Sequence, residues 1–257
     1  MSALLIDEPE VGVMRMRINR PEARNAINAE IRAALLKAVP AAALDPNVRV
    51  LLFASAGGTF CAGGDLPSMV GVSRDQADQR MREGHAVAAA IGTFPKPVVA
   101  AVERFAVGAG AGLALLADHV ILADNAVLGF PFLKIGLSPD WGITATLKLR
   151  AGHVRASRIL RNAETVAAAE AVEAGIADEM VAATDIERAA IERATTLARL
   201  PAAAFARMKT RLSPPDLLQV LDEERVCQVD SLTGPEFKEG YAALLAKRQP
   251  NFASPVA

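Results

Sequence analysis

Two turns rich in glycine and alanine carry the residues whose type and spacing suit chemistry. The first, Gly57–Leu66, reads GGTFCAGGDL and follows the apolar run Val48–Ala54. The second, Val107–Gly112, reads VGAGAG and follows Val98–Val102. Small residues there let a ligand approach the backbone closely. Backbone N–H groups at such turns can hold a negative oxygen, and two of them aimed at one point make an oxyanion hole. Glycine-rich turns after strands also occur with no role beyond turning, so neither decides the matter alone. The second turn lacks G-x-G-x-x-G spacing and does not open the first strand–helix unit, which speaks against a dinucleotide fingerprint.

The elements that must position these turns are legible in outline. Val11–Ile18 suits a strand, and Asn19–Arg24, with Pro21, reads as a turn. Asn28 is a candidate N-cap for a helix running toward Ala43. Val48–Ala54, Val98–Val102 and His119–Ala123 read as buried strands. Arg74–Thr93 reads as a helix ended by Pro95, and Gly108–Ala117 as a small apolar helix. Helical patterns follow, with breaks near Gly152, Gly175, Pro201 and Pro214–Pro215. Arg207–Ala246 is charged and amphipathic, broken at Gly234–Pro235. Strand–helix repeats followed by helices predict an α/β core with a C-terminal helical part. The boundary is expected near Leu200, giving a core over 1–200 and a helical region over 201–257.

Composition sets outer limits. The 257 residues fit one large domain, or one with a helical appendage, and 52% hydrophobic with 22% charged residues is a globular balance. With 28 basic and 29 acidic residues the net charge is -1, which argues against a nucleic-acid partner. Two cysteines, Cys61 and Cys227, make no disulfide framework. The first residues do not read as a signal peptide and no apolar run is long enough to span a bilayer, so a cytoplasmic location and no membrane partner are expected. No His/Cys/Asp/Glu cluster has metal spacing.

Taken together, several segments resemble the enoyl-CoA hydratase/isomerase (crotonase) family. They are Asn19-Arg20-Pro21 with Asn25-Ala26, Phe60–Leu66 (FCAGGDL), Pro97–Val102 (PVVAAV), Gly108–Gly110 and Asp118. Gly136–Asp140 (GLSPD), Glu239-Gly240 and Lys247–Phe252 (KRQPNF) complete the set. They follow the family's order over nearly the whole chain. The resemblance implies a spiral of ββα units with C-terminal helices that trimerise, as a homotrimer or hexamer. It implies an acyl-CoA thioester as substrate, with coenzyme A entering as part of it and no separate cofactor. Ala62 and Ala109 would supply the oxyanion-hole amides. The loop Ala62–Leu66, with Gly64, Asp65 and Leu66, would meet the adenine end of CoA, and Gly108 would border the substrate. Arg24, Lys247 and Arg248 resemble basic residues that reach CoA; ordinary surface charge is the alternative for each.

The reaction depends on nearby carboxylates. Family hydratases commonly carry glutamates at the positions of Gly112 and Phe132, and neither is acidic here, which lowers simple hydration. Asp140 closes the GLSPD stretch, where several family isomerases and a dehalogenase relative carry a working acid. A 1,3-proton shift can use one carboxylate for both transfers. A water-poor pocket beside Trp141, Phe130 and Phe132 would raise its pKa. The competing reading is that Asp140 caps a helix after Pro139. Glu103 and Arg104 read best as an ion pair at a strand end, His85 as a structural or exposed residue, and Cys61 as a small buried one. The expectation is thus an enoyl-CoA isomerase. A hydratase, hydrolase, dehalogenase, decarboxylase or non-catalytic acyl-CoA binder remains as alternative. Fatty-acid or aromatic degradation is a plausible pathway.

Overall fold

The computed structural model describes residues 2–253. The last residues of the expected helical region, 254–257, lie outside the described residues. The chain opens with an antiparallel hairpin, β1 (Leu4–Glu10) and β2 (Val13–Ile18), where the sequence predicts one strand. β1 was hidden by its charges: after Leu4 its residues alternate between half-buried and exposed, as on an edge strand. Next comes α1 (Ala29–Leu44), capped by the Asn28 side chain, which accepts from the Ile31 N–H at 2.9 Å. β3 (Val50–Ser55) follows, then α2 (Arg74–Gly92), opened by a capping box between Ser73 and Gln76. β4 (Val98–Val102), β5 (Phe105–Val107), α3 (Ala109–Leu115), β6 (His119–Ala123) and β7 (Val127–Gly129) complete the first half.

The second half is α4 (Ile143–Arg161), β8 (Thr165–Ala167), α5 (Ala168–Glu173), β9 (Glu179–Val181) and α6 (Ile186–Ala198), then α7 (Ala202–Leu212), α8 (Leu217–Thr233) and α9 (Pro235–Leu245). The expected break at Gly152 is a kink inside α4, where φ is +74°. β5, β7, β8 and β9 were not anticipated. At three residues each they are too short to show a period.

One sheet runs in the order β1-β2-β3-β4-β6-β9, parallel from β2 onward. A smaller sheet joins β5, β7 and β8. β4 is buried at every residue, as a parallel strand covered on both faces must be. Parallel pairing sends β3 and β4 off the same edge, so the two glycine turns emerge side by side. There Cys61 pairs with the β5 region: its N–H donates to the Phe105 carbonyl at 2.8 Å, and its carbonyl accepts from Val107 at 3.0 Å.

Gly110, in the first turn of α3, lets the helix come close to that loop. A Cβ at Gly110 would stand 2.4 Å from the Cys61 carbonyl oxygen, closer than any real contact. Gly110→Ala is therefore expected to cost about 1–3 kcal/mol of stability, the usual range for overpacking, read as a lower urea midpoint. An unchanged midpoint would mean that α3 can back away from the loop freely.

Candidate active site

A cleft of about 720 Å³, mouth included, opens where the two glycine turns, α1, α2, the Pro131–Trp141 segment and α8 converge. Ala62, Gly63, Gly64 and Leu66 of the first turn line it, as do Gly108 and Ala109 of the second. Asp140, Trp141, Phe132, Leu137 and Gln228 form much of the opposite side.

The amides divide differently from the expectation. The Ala62 N–H donates to the Arg24 carbonyl at 3.0 Å and is therefore spent. That corrects the assignment of Ala62 as an oxyanion donor, although the residue does line the cleft. Gly63 changes the pattern. The Cys61 N–H faces β5 and the Ala62 N–H the Arg24–Ile27 segment, and an extended chain would send the Gly64 N–H to that segment again. Gly63 has φ of +101°, and beyond it the Asp65 N–H, not that of Gly64, meets the Ile27 carbonyl, at 3.1 Å. The Gly64 N–H is thereby left facing away from Ile27, and among the described residues it has no hydrogen-bond partner. Ala109 opens α3, so its N–H has no carbonyl to bond within the helix. A Cβ at Gly63 would lie 3.9 Å from the Ala109 nitrogen, so the two turns abut at this point.

Asp140 is held by α8, nearly ninety residues downstream in sequence. The Gln228 side-chain amide donates to Asp140 Oδ2 at 3.1 Å, and its oxygen accepts from the Ser138 N–H at 3.1 Å. One turn earlier on the same helix face, Glu224 accepts from Gly142 N–H at 2.7 Å, Thr144 N–H at 3.1 Å and Thr144 Oγ1 at 2.6 Å. Glu224 thus satisfies the start of α4 from outside. Asp140 does not cap that helix: its Oδ1 is buried with no partner. Burial pushes the Asp140 pKa up to about 7, and the negative charge of Glu224 adds to the rise. Burial also raises Glu224, although its three donors hold it down in part.

Trp141 occupies the ground beside Asp140. It adopts a left-handed φ of +60° and is buried. A Cβ at Gly112 would stand 2.5 Å from the Trp141 Cβ, so a glutamate side chain cannot rise from position 112 while Trp141 keeps this place. Phe132 lines the cleft, whereas Phe130 is buried in the core and is not among the lining residues.

The remaining expected residues are not among those lining the cleft. Arg24 and Lys247 are exposed. Arg248 pairs with Glu239 through bonds of 2.6 and 2.8 Å. Asp65 pairs with Arg20 at 2.8 Å. Glu103 borders a small separate hollow near Arg15 and Arg17, and among the described residues it forms no ion pair with Arg104. His85 is buried behind the cleft, and its pKa falls to about 4 through desolvation, so it is neutral. Burial pushes the Cys61 thiol up to about 12, which makes it a poor nucleophile. Among the described residues no group of His, Cys, Asp and Glu side chains is placed to hold a metal ion. Sequence reasoning missed Arg32, Arg80, Glu224 and Gln228; the i, i+4 spacing of the last two on α8 was the one available signal.

The architecture is that of the crotonase fold. An enoyl-CoA hydratase structure from Mycobacterium avium subsp. paratuberculosis superposes with a TM-score of 0.89 at 31% identity, covering 98% of this chain and 99% of that one. The family model described as enoyl-CoA hydratase/isomerase matches residues 8–255, and the chain belongs to that family. A probable enoyl-CoA hydratase of Rhodobacter capsulatus is 37% identical over 94% of each chain. A 1,2-epoxyphenylacetyl-CoA isomerase of Escherichia coli is 34% identical over 98% of this chain and 99% of the relative. Among the described residues no helix is long and apolar enough to cross a membrane.

The raised pKa of Asp140 has a thermodynamic signature. Its folded pKa, about 7, lies above the ordinary 3.8. The unfolded chain therefore releases this proton first, and the group's contribution to stability is lost as pH rises through that window. The limiting slope is about 1.4 kcal/mol per pH unit. Asp140→Asn cannot titrate, so the stability of wild type relative to the variant should fall from pH 4 to pH 7 in urea melts. A constant difference would show that Asp140 stays ionised throughout.

Proposed function

We propose that this chain catalyses a 1,3-proton shift on an enoyl-CoA thioester, with Asp140 as the single acid–base group. The observation that carries the reading is the Asp140 carboxylate itself. It lines the cleft, has one oxygen without a partner, and is held near neutrality by burial. A general base works best with a pKa near the operating pH.

In this reading the thioester carbonyl oxygen rests between the Gly64 and Ala109 N–H groups. Ionised Asp140 takes a proton from the carbon at one end of the allylic system. The released electron pair moves onto the carbonyl oxygen and forms a dienolate, whose charge the two amides meet as it develops. Protonated Asp140 then returns the proton to the carbon at the other end. The double bond has moved, the carboxylate is regenerated, and neither water nor cofactor is consumed.

Hydration needs one group to position water and another to deliver a proton. Phe132 and Gly112 provide neither, and the Trp141 side chain fills the space an acid at 112 would need. Glu224, the other buried carboxylate nearby, is committed to Gly142 and Thr144. The same reading includes assembly through the C-terminal helices and a cytoplasmic site of action.

The test supplies a 3-enoyl-CoA and follows the conjugated 2-enoyl product. Wild type should isomerise it without forming a 3-hydroxyacyl-CoA, with kcat/KM rising as pH passes through about 7. Asp140→Asn should reduce turnover by about 10²–10⁴-fold, the usual contribution of a general base. Undiminished turnover in the variant, or water addition as the main reaction of wild type, overturns the proposal.

A further inference from the structure

The cleft carries a charge that a proton shift on a plain hydrocarbon chain does not need. Arg32 of α1 and Arg80 of α2 both line it. Arg32 is 6% exposed. Its Nε and Nη2 bind one carboxylate oxygen of Glu83, at 3.2 and 3.1 Å. Its Nη1 is buried with no hydrogen-bond partner. Arg80 gives Nη1 to the Ser68 hydroxyl at 2.9 Å and, among the described residues, forms no ion pair. Its Nη2 lies 3.8 Å from where a Gly64 Cβ would stand, which places the guanidinium beside the proposed oxyanion corner. The two guanidinium groups are close enough to repel, and burial together with that repulsion lowers the Arg80 pKa to about 10.

An arginine nitrogen withdrawn from water and left unbonded is costly unless a ligand completes it. The rest of this wall offers no completion, since Met69, Met81 and Ile27 are apolar. Asp65, Asp140 and Glu83 act on Arg80 only from a distance, and each is already engaged, Asp65 by Arg20, Glu83 by Arg32 and Asp140 by Gln228. A planar carboxylate matches what is missing, because it can accept from two guanidinium groups at once.

We propose that the acyl group of the substrate is short and bears a carboxylate, which the free nitrogens of Arg32 and Arg80 receive. The thioester of a dicarboxylic acid fits this description. The inference rests on the cleft being the acyl-CoA site proposed above, but not on which reaction occurs there.

The experiment measures affinity for saturated thioesters, which no double-bond isomerase can turn over. Glutaryl-CoA is compared with pentanoyl-CoA, and adipyl-CoA with hexanoyl-CoA, by calorimetry on the intact protein. Each pair shares its CoA portion, so contacts to CoA cancel. Wild type should favour the carboxylated member by roughly 10-fold or more, as expected for charge-assisted hydrogen bonds. Arg80→Gln should bring that ratio to about one, and Arg80→Lys should retain part of it. Absence of a preference in wild type overturns the proposal. So does a fall of both affinities together in Arg80→Gln with the ratio intact, which would assign Arg80 to the thioester or CoA. Should Arg80→Gln fail to fold, the wild-type ratio and Arg80→Lys decide. A protein that binds with this preference yet shifts no double bond would defeat the isomerase reading alone.

Discussion

The structure depends on how closely the two glycine turns approach one another. Gly110 rests against the Cys61 carbonyl and Gly63 against the Val107 carbonyl, where a Cβ would stand 2.4 and 2.7 Å from those oxygens. Nothing larger fits at either point. This contact brings the first residue of α3, whose N–H has no carbonyl to bond within the helix, beside Gly63. A helix start ordinarily gives its free amides to water or to a capping side chain. Here Gly108 precedes the helix and offers no side chain, so the amide is left to the cleft.

Gly63 does a second thing that its lack of a side chain makes possible. Its positive φ inverts the alternation of the extended segment, so that Asp65 and not Gly64 bonds back to Ile27. The assignment to Ala62 came from the family resemblance, which does not carry this angle. The motif FCAGGDL marks the loop, but which of its amides is free depends on a single dihedral angle. Regular strand geometry would have given the wrong side. The longer elements were legible for the opposite reason. β4 and β6 are dense apolar runs, and Asn28 caps α1 through its own side chain, so their signals are local and strong. The three-residue strands and the edge strand β1 had no such signal.

The site shows the same division. Asp140 stands in a recognisable stretch, and its neighbour Trp141 is two residues from the start of α4, so both could be located from the sequence. What makes Asp140 a candidate base could not. Its environment comes from Glu224 and Gln228, whose relation to the Ser138–Thr144 segment exists only once α8 packs against α2 and α4. Arg32 and Arg80 were invisible for the same reason. Each is an ordinary charged residue on an amphipathic helix until packing turns it inward.

The partnership with α8 explains how a buried carboxylate can be both precise in position and loose in protonation. A carboxylate supplied with several donors would be firmly placed but more acidic than the same buried group without them, as hydrogen bonds to the charged form lower its pKa. A carboxylate with none would be mobile. The segment resolves this by dividing the work between two acids. Glu224 takes three donors and fixes the backbone at Gly142 and Thr144. Gln228 fixes Ser138 and gives Asp140 one neutral donor. The loop is thus held from both sides while Asp140 keeps one oxygen free, and the charge on Glu224 further discourages ionisation of Asp140. A second donor on Oδ1 would satisfy the buried oxygen and remove the property that suits this residue to proton transfer.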